Sequence, residues 1–176
     1  LALGIGANSG IFSVVHGVVL KALPYENPDE LVVVETEYTN AARFPLSAPD
    51  YMSVLDESRV FADVGAYTRQ FATMTGRGDA QSVEATLVSR TLFSVLGLAP
   101  VAGRAFAEGE HTDGNDDVVV LTAPFAERLF GGVEASLRQT ITLQGNPYTV
   151  VGVMPAGTEV PETAQLYIPL AYDSAF

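Results

Sequence analysis

From Leu1 to Leu20 the chain carries no Asp, Glu, Lys or Arg, and its first charge is Lys21. At about 1.5 Å per helical residue, such a stretch spans roughly 30 Å, the hydrocarbon thickness of a bilayer. It contains a Gly6-x-x-x-Gly10 spacing flanked by Gly4 and Gly17, small residues that let membrane helices approach closely. The stretch therefore predicts a transmembrane helix over 1–20. A secretory signal is one alternative, weakened because no basic residues open the chain. A buried core helix is the other, since Asn8, Ser9, Ser13 and His16 lower the hydropathy. Beyond Lys21 the chain turns acidic and is punctuated by Pro and Gly, as a water-soluble domain is. The expected organisation is an anchor followed directly by a folded domain at a membrane surface.

Composition narrows the function classes. A formal net charge of −12 and a single lysine exclude nucleic acid as a partner, because phosphate binding needs clustered cations. The same acidity argues against the folded part lying on anionic lipid. With no Cys in 176 residues, disulfides, thiolate nucleophiles and cysteine zinc sites are excluded. The roughly 155 residues after the apolar opening suffice for one domain or two small ones.

Local patterns predict short mixed elements. Pro24 and Pro28 force an extended exit from the opening helix, and Leu31-Val32-Val33-Val34 reads as a buried strand. Ser47-Ala48-Pro49-Asp50 is a helix start, with Ser47 as N-cap, for a helix reaching about Ser58. Residues 60–75 read as strand-like, with Phe61, Tyr67, Phe71 and Met74 as core candidates. Gly76 to Asp79 forms a turn, and its Arg-Gly-Asp triplet is a chance match to adhesion ligands. Gln81 to Val88 is a strand, and Ser89 is expected to cap a short helix ended by Gly97. Val118 to Leu121 is a buried strand, followed by a helix bearing Phe125, Leu129 and Phe130 and stopped by Gly131-Gly132. A hairpin is expected across Gln144 to Pro147, and Leu166 to Pro169 as an edge strand because of its proline. Without regular βαβ alternation, the class is α+β.

Searches for chemistry return nothing catalytic. There is no G-x-x-x-x-G-K-[ST], G-x-S-x-G, H-E-x-x-H or G-x-G-x-x-G. Two histidines, His16 and His111, cannot build a multi-histidine metal site. Asp113, Asn115 and Asp117 alternate like the first ligands of an EF-hand, but Val118 and Pro124 stand where Gly and Glu are needed. That acidic loop, 111–117, is a solvated turn or an incidental cation site. Glu35 with Glu37, and Glu108 with Glu110, are paired carboxylates with nothing to split their pKa values, so solvated residues are expected. No catalytic, cofactor-binding or metal-binding residue is assigned, no cofactor is expected, and the chain is not expected to be an enzyme.

The order of punctuation marks nevertheless resembles the MacB-like periplasmic core domain of FtsX-like ABC-transporter permeases, above all the duplicated orphan permeases of Acidobacteria and their relatives. The residues carrying the resemblance begin with Leu1 to Asn8, Ile11 to Val15 and Leu23-Pro24-Tyr25. They continue through Pro49-Asp50-Tyr51, Ser58-Arg59 with Phe61, Ala66-Tyr67, Val88-Ser89, Leu92-Phe93, Val95-Leu96-Gly97, Pro100, Gly103-Arg104 and Phe106. Val118 to Leu121, Phe130-Gly131-Gly132, and Gly145 with Tyr148 to Pro155 complete them. Arg138 departs from a usual Gly, Gln165-Leu166-Tyr167 from Asp-Leu-Trp, Leu121-Thr122-Ala123 from Leu-Ser-His, and Phe125 from Trp. The resemblance implies a porter-like subdomain with a smaller α/β subdomain inserted in it, preceded by the membrane helix. It places the first porter half at 21–85 and the small subdomain at 86–176, with more chain before Leu1 and the rest of the porter part after Phe176. It further implies a bacterial inner-membrane protein whose soluble part is periplasmic, coupling cytoplasmic ATP hydrolysis to conformational change outside the membrane. Implied partners are a separate ATP-binding subunit, a second permease copy or pseudo-dimer half, and a periplasmic adaptor or outer-membrane channel. The alternative is a membrane-anchored module that binds a ligand or protein.

Overall fold

The computed structural model describes residues 25, 27–37, 43–158, 160, 161 and 163–171. The predicted membrane helix over 1–20 lies outside the described residues, and among those residues no helix is long and apolar enough to cross a membrane.

Among the described residues, nine strands and four α-helices make up an α+β fold. Strands β1 (Glu35–Glu37) and β2 (Arg43–Pro45) pair antiparallel and precede helix α1 (Ala48–Glu57). Ser47 caps α1 by accepting the Asp50 N–H at 3.3 Å, as expected. The strand expected at 31–34 is absent. Val32 and Val33 are 66% and 88% exposed, and pairing starts only at Glu35, where β2 comes alongside.

The remaining strands curl into a closed barrel. These are β3 (Tyr67–Thr75), β4 (Gln81–Val88), β6 (Val118–Thr122), β7 (Thr140–Leu143), β8 (Asn146–Met154) and β9 (Leu166–Pro169). They pair around the ring in the order β8, β6, β9, β4, β3, β7 and back to β8. The β4–β9 and β6–β8 pairs are parallel and the others antiparallel. Short β5 (Ala102–Gly103) adds to β8 beyond the end of β7.

Period-two alternation fills the interior with Ala72, Met74, Val83, Leu121, Ile141, Val150, Leu166 and Ile168. Helix α3 (Ala123–Phe130) contributes Phe125 and Ala126 to that core, and α4 (Val133–Ser136) follows it. A second core lies outside the barrel, where α2 (Leu92–Val95) packs Leu92 and Phe93 with Leu96 onto Val120, Met154 and Tyr167.

Several expectations change in this frame. The boundary expected between 85 and 86 falls inside β4, whose pairing joins β3 to β9. Residues 67–85 therefore share one sheet with the later strands rather than with β1 and β2. β9 is not an edge strand: it lies between β4 and β6 and is fully buried. Pro169 is tolerated because it is the last residue of the strand, and the next N–H, that of Leu170, donates to Val88. Tyr67 and Phe71 face outward, 47% and 67% exposed, while Met74 occupies the opposite, inward phase. The β7–β8 turn is only Gln144-Gly145, with φ of 50° and 89°, the paired left-handed geometry of a two-residue hairpin. Arg138, standing where the resemblance expects Gly, keeps the glycine-like geometry at φ 63°.

Candidate functional site

The chain enters the barrel through residues 64–66 and leaves it through 169–171, and both segments are fixed to the same corner. Tyr67 and Pro169 flank Val88 on either side, so entry and exit lie two strand spacings, about 10 Å, apart. On the entry side, Ser89 and Ala66 exchange two hydrogen bonds. The Ala66 N–H donates to Ser89 Oγ at 2.9 Å, and the Ser89 N–H donates to the Ala66 carbonyl at 2.8 Å. Thr91 Oγ1 donates to the Val64 carbonyl at 2.6 Å and lies 3.2 Å from Ser89 Oγ. A Cβ on Gly65 would stand 2.8 Å from Leu92 Cα, so only glycine lets this segment lie flat on α2. On the exit side, the Leu170 N–H donates to the Val88 carbonyl at 2.9 Å.

A polar and aromatic cluster braces that corner. His111, buried at 7% exposure, places Nδ1 3.3 Å from the Leu170 carbonyl and its ring edge-on to Phe106. Phe106 stacks on Phe93, which meets Tyr167 edge-on at 5.2 Å. Burial lowers the His111 pKa, against an opposing effect of the Leu170 bond, so the ring favours its neutral form. Arg104 holds Glu110 through two bonds of 2.7 and 2.6 Å, and Glu110 also accepts the Ala107 N–H. The Arg104 bond is the chief cause that holds the Glu110 carboxyl below its ordinary pKa, and it raises Arg104 in turn.

The carboxylates singled out in the sequence do not converge. Glu108 pairs with Arg90 at 2.9 Å, while its neighbour Glu110 takes Arg104. Across the acidic loop, Asn115 Nδ2 donates to the Gly109 carbonyl. Among the described residues no group of three or more His, Asp or Glu side chains is arranged to hold a metal ion. Ser89 was visible in the sequence, but as a helix cap. Its hydroxyl instead serves the entering strand, and Thr91 stands at the N-cap position without a side-chain cap bond. That role is set by a contact across 23 residues of chain, which no local pattern encodes.

A second feature is the mouth of the barrel, a concavity of about 300 Å³ lined by Gln70, Ala72, Leu87, Leu143, Tyr148 and Ile168, with Asp116 among its walls. Burial, then Asp116 and Asp117, push the Tyr148 hydroxyl pKa up.

The model of the MacB-like periplasmic core domain matches residues 1–175. The chain belongs to that family. Two solved structures share the fold of this MacB-like domain. The extracellular domain of the noncanonic ABC-type transporter YknZ from Gram-positive bacteria aligns with a TM-score of 0.54 at 20% identity, covering 70% of this chain and 60% of that one. The periplasmic region of MacB from Actinobacillus actinomycetemcomitans aligns with a TM-score of 0.56 at 18% identity, covering 79% and 57%. The chain thus spans about three-fifths of the length of each. No curated protein matches it. The mixed α+β architecture expected from the order of the local elements is the one observed.

Proposed function

We propose that this MacB-like domain is the extracytoplasmic part of an ABC-transporter permease subunit, not itself an enzyme, that transmits motion between membrane helices and the space outside. ATP binding and hydrolysis by a separate cytoplasmic subunit would move the helices, including the one expected over 1–20 in the inner membrane. The domain would carry that motion to a second permease copy or pseudo-dimer half, and onward to a periplasmic adaptor or outer-membrane channel.

The observation that carries this reading is the root of the barrel. A domain inserted through two chain crossings follows its base rigidly only if both crossings are fixed. Here the entry is held by the Ser89 and Thr91 bonds and by glycine-close packing, and the exit by Leu170. A non-enzymatic role is supported by carboxylates that are engaged by separate arginines rather than paired with one another.

The test loosens the root without emptying a core. In the intact permease, Ser89→Ala with Thr91→Val removes the hydroxyl acceptor of the Ala66 N–H and the donor to Val64. Transport, or whatever extracytoplasmic response the permease gives, is expected to fall while nucleotide binding persists. Replacing Pro24 and Pro28 by Gly at the membrane junction is expected to act in the same direction. An unchanged response in both variants would refute stiff coupling.

A further inference from the structure

At the mouth, the barrel wall is unfinished on one side. β3 pairs with β4 along Tyr67 to Met74, but with β7 only at Met74 and Thr75. The β7–β8 hairpin turns back at Gln144-Gly145, where the Gln144 N–H donates to the Thr73 carbonyl at 2.8 Å. That bond fixes the lateral direction of every second residue. Because Thr73 points its carbonyl away from β4, Tyr67, Arg69 and Phe71 point their N–H and C=O groups the same way. No described strand lies there. Alternation then sends the side chains of Gln70 and Ala72 into the mouth and leaves Tyr67, Arg69 and Phe71 outside.

We propose that this edge of β3 takes up an extended peptide segment of a partner protein as an added strand, with apolar side chains and one cation of that segment facing the mouth. The row of unpaired backbone groups selects an extended chain, because only a strand satisfies alternating donors and acceptors along such an edge. The inward side chains of the added strand would meet Ala72, Leu87, Leu143 and Ile168, which favours apolar residues. The cation is selected by Asp116, a half-buried mouth residue with no ion-pair partner among the described residues. Among the described residues no Arg or Lys lines the mouth, and the chain as a whole carries −12. Outside, Arg69 already leans toward Glu84 at 3.8 Å, so uncharged outward residues fit best. This inference concerns binding and stands whether or not the domain transmits force.

The probe is the synthetic peptide acetyl-Thr-Val-Thr-Lys-Thr-Val-Thr-amide, whose Val and Lys share one face of a strand, applied to the full-length protein. Hydrogen exchange is expected to show the Tyr67, Arg69 and Phe71 amides open without peptide and slowed at saturation. The analogue with Glu in place of Lys is expected to bind at least about tenfold more weakly, the scale of one partly screened ion pair exchanged for repulsion. Asp116→Asn should remove that difference. Arg69→Pro deletes an edge N–H that β4 does not use and should abolish binding. Should that variant fail to fold, a backbone N-methylated peptide tests the same point on the unaltered protein and should not bind. The proposal is overturned if these amides are already protected in the full-length protein, which would mean its own chain covers the edge. It is equally overturned if saturating peptide leaves them unchanged, or if the Glu analogue binds as well as the Lys one.

Discussion

The barrel and the β1–β2–α1 unit solve the same packing problem with opposite results. In the barrel each of the six ring strands has a neighbour on both sides, and residues such as Leu121, Leu166 and Val153 are fully buried. In the first unit two three-residue strands pair only with each other among the described residues. There Phe44 remains 52% exposed, and Val33 and Val60, just before and just after the unit, are 88% and 84% exposed. The same residue type, valine, is exposed at 33 and 60 and fully buried at 119 and 120, so residue type does not decide which ones are buried. Closure does: a two-stranded ribbon has no second layer to cover its apolar face, and isolated ribbons are marginal in water. The barrel carries its own core, whereas the first unit buries only Tyr51 among its described residues.

The sharpest way to break this contrast is to strain the barrel where backbones touch. A side chain on Gly152 would be driven into the Arg104 backbone. Gly152→Val is therefore expected to cost about 3 kcal/mol or more, because neither strand can yield without losing the β5–β8 pairing. Leu166→Ala, which empties a fully buried position in the ring, is expected to cost about 2–5 kcal/mol. The matched change in the other region, Val33→Ala, is expected to stay within about 0.5 kcal/mol. Urea unfolding followed by tyrosine fluorescence checks all three. A Val33→Ala loss as large as that of Leu166→Ala would mean the first unit is buried in the native protein.

Elements whose signals are local were legible in the sequence: α1 with its Ser47 cap, the strand at Val118, the helix ended by Gly131, and the hairpin near Gly145. What was not legible depends on partners distant in the chain. The run Leu31 to Val34 has the composition of a buried strand, and only the position of β2 decides that pairing starts later. Pro169 signals an edge by its missing N–H, yet it closes a central strand because the following residue supplies the bond. Tyr67 and Phe71 share a period-two phase with nothing that says which phase faces inward; the smaller Ala72 and Met74 take the interior. The expected 85/86 boundary falls inside β4 for the same reason, since β3 and β4 join the later strands only through pairings more than sixty residues away in sequence, such as Met74 with Leu143. Of the root, Ala66-Tyr67 and Val88-Ser89 stood out as marks of the resemblance, but the bond that joins them spans 23 residues of chain.

Smaller effects separate the root from the barrel wall. Ser89→Ala leaves the part-buried Ala66 N–H without its acceptor and is expected to cost about 1–2 kcal/mol. It should raise hydrogen exchange at residues 64–66 and 89 more than at β6 or β8. Uniform loosening would place Ser89 in the barrel core rather than at its root. Acid tests the same corner. The His111 pKa is lowered in the folded state by burial, so protonation favours the unfolded chain, and stability present above the ordinary histidine pKa of about 6.5 declines as pH falls below it. Glu110, also lowered, adds a second loss at still lower pH, as the carboxylate held by Arg104 is protonated. His111→Phe should remove the first decline and leave the second, and thermal melts between neutral and acidic pH distinguish them.

The smallest expected effect probes a place where the well-closed barrel is itself imperfect. Arg138 holds φ at 63°, fixed there because its N–H donates to the Val150 carbonyl at 2.9 Å. A non-glycine residue in the left-handed region bears about 1 kcal/mol of strain, which Arg138→Gly would release. Glycine also gains freedom in the unfolded chain, worth about 0.5–1 kcal/mol in the opposite direction. The two nearly cancel, so a net stabilisation of no more than about 0.5 kcal/mol is expected. A series resolves what a single variant cannot. Arg138→Asn should fall close to Gly, because Asn tolerates this region, while Arg138→Ala should keep the strain and lose whatever the arginine stem covers. If Ala proves as stable as Gly, the backbone here is not strained by its side chain.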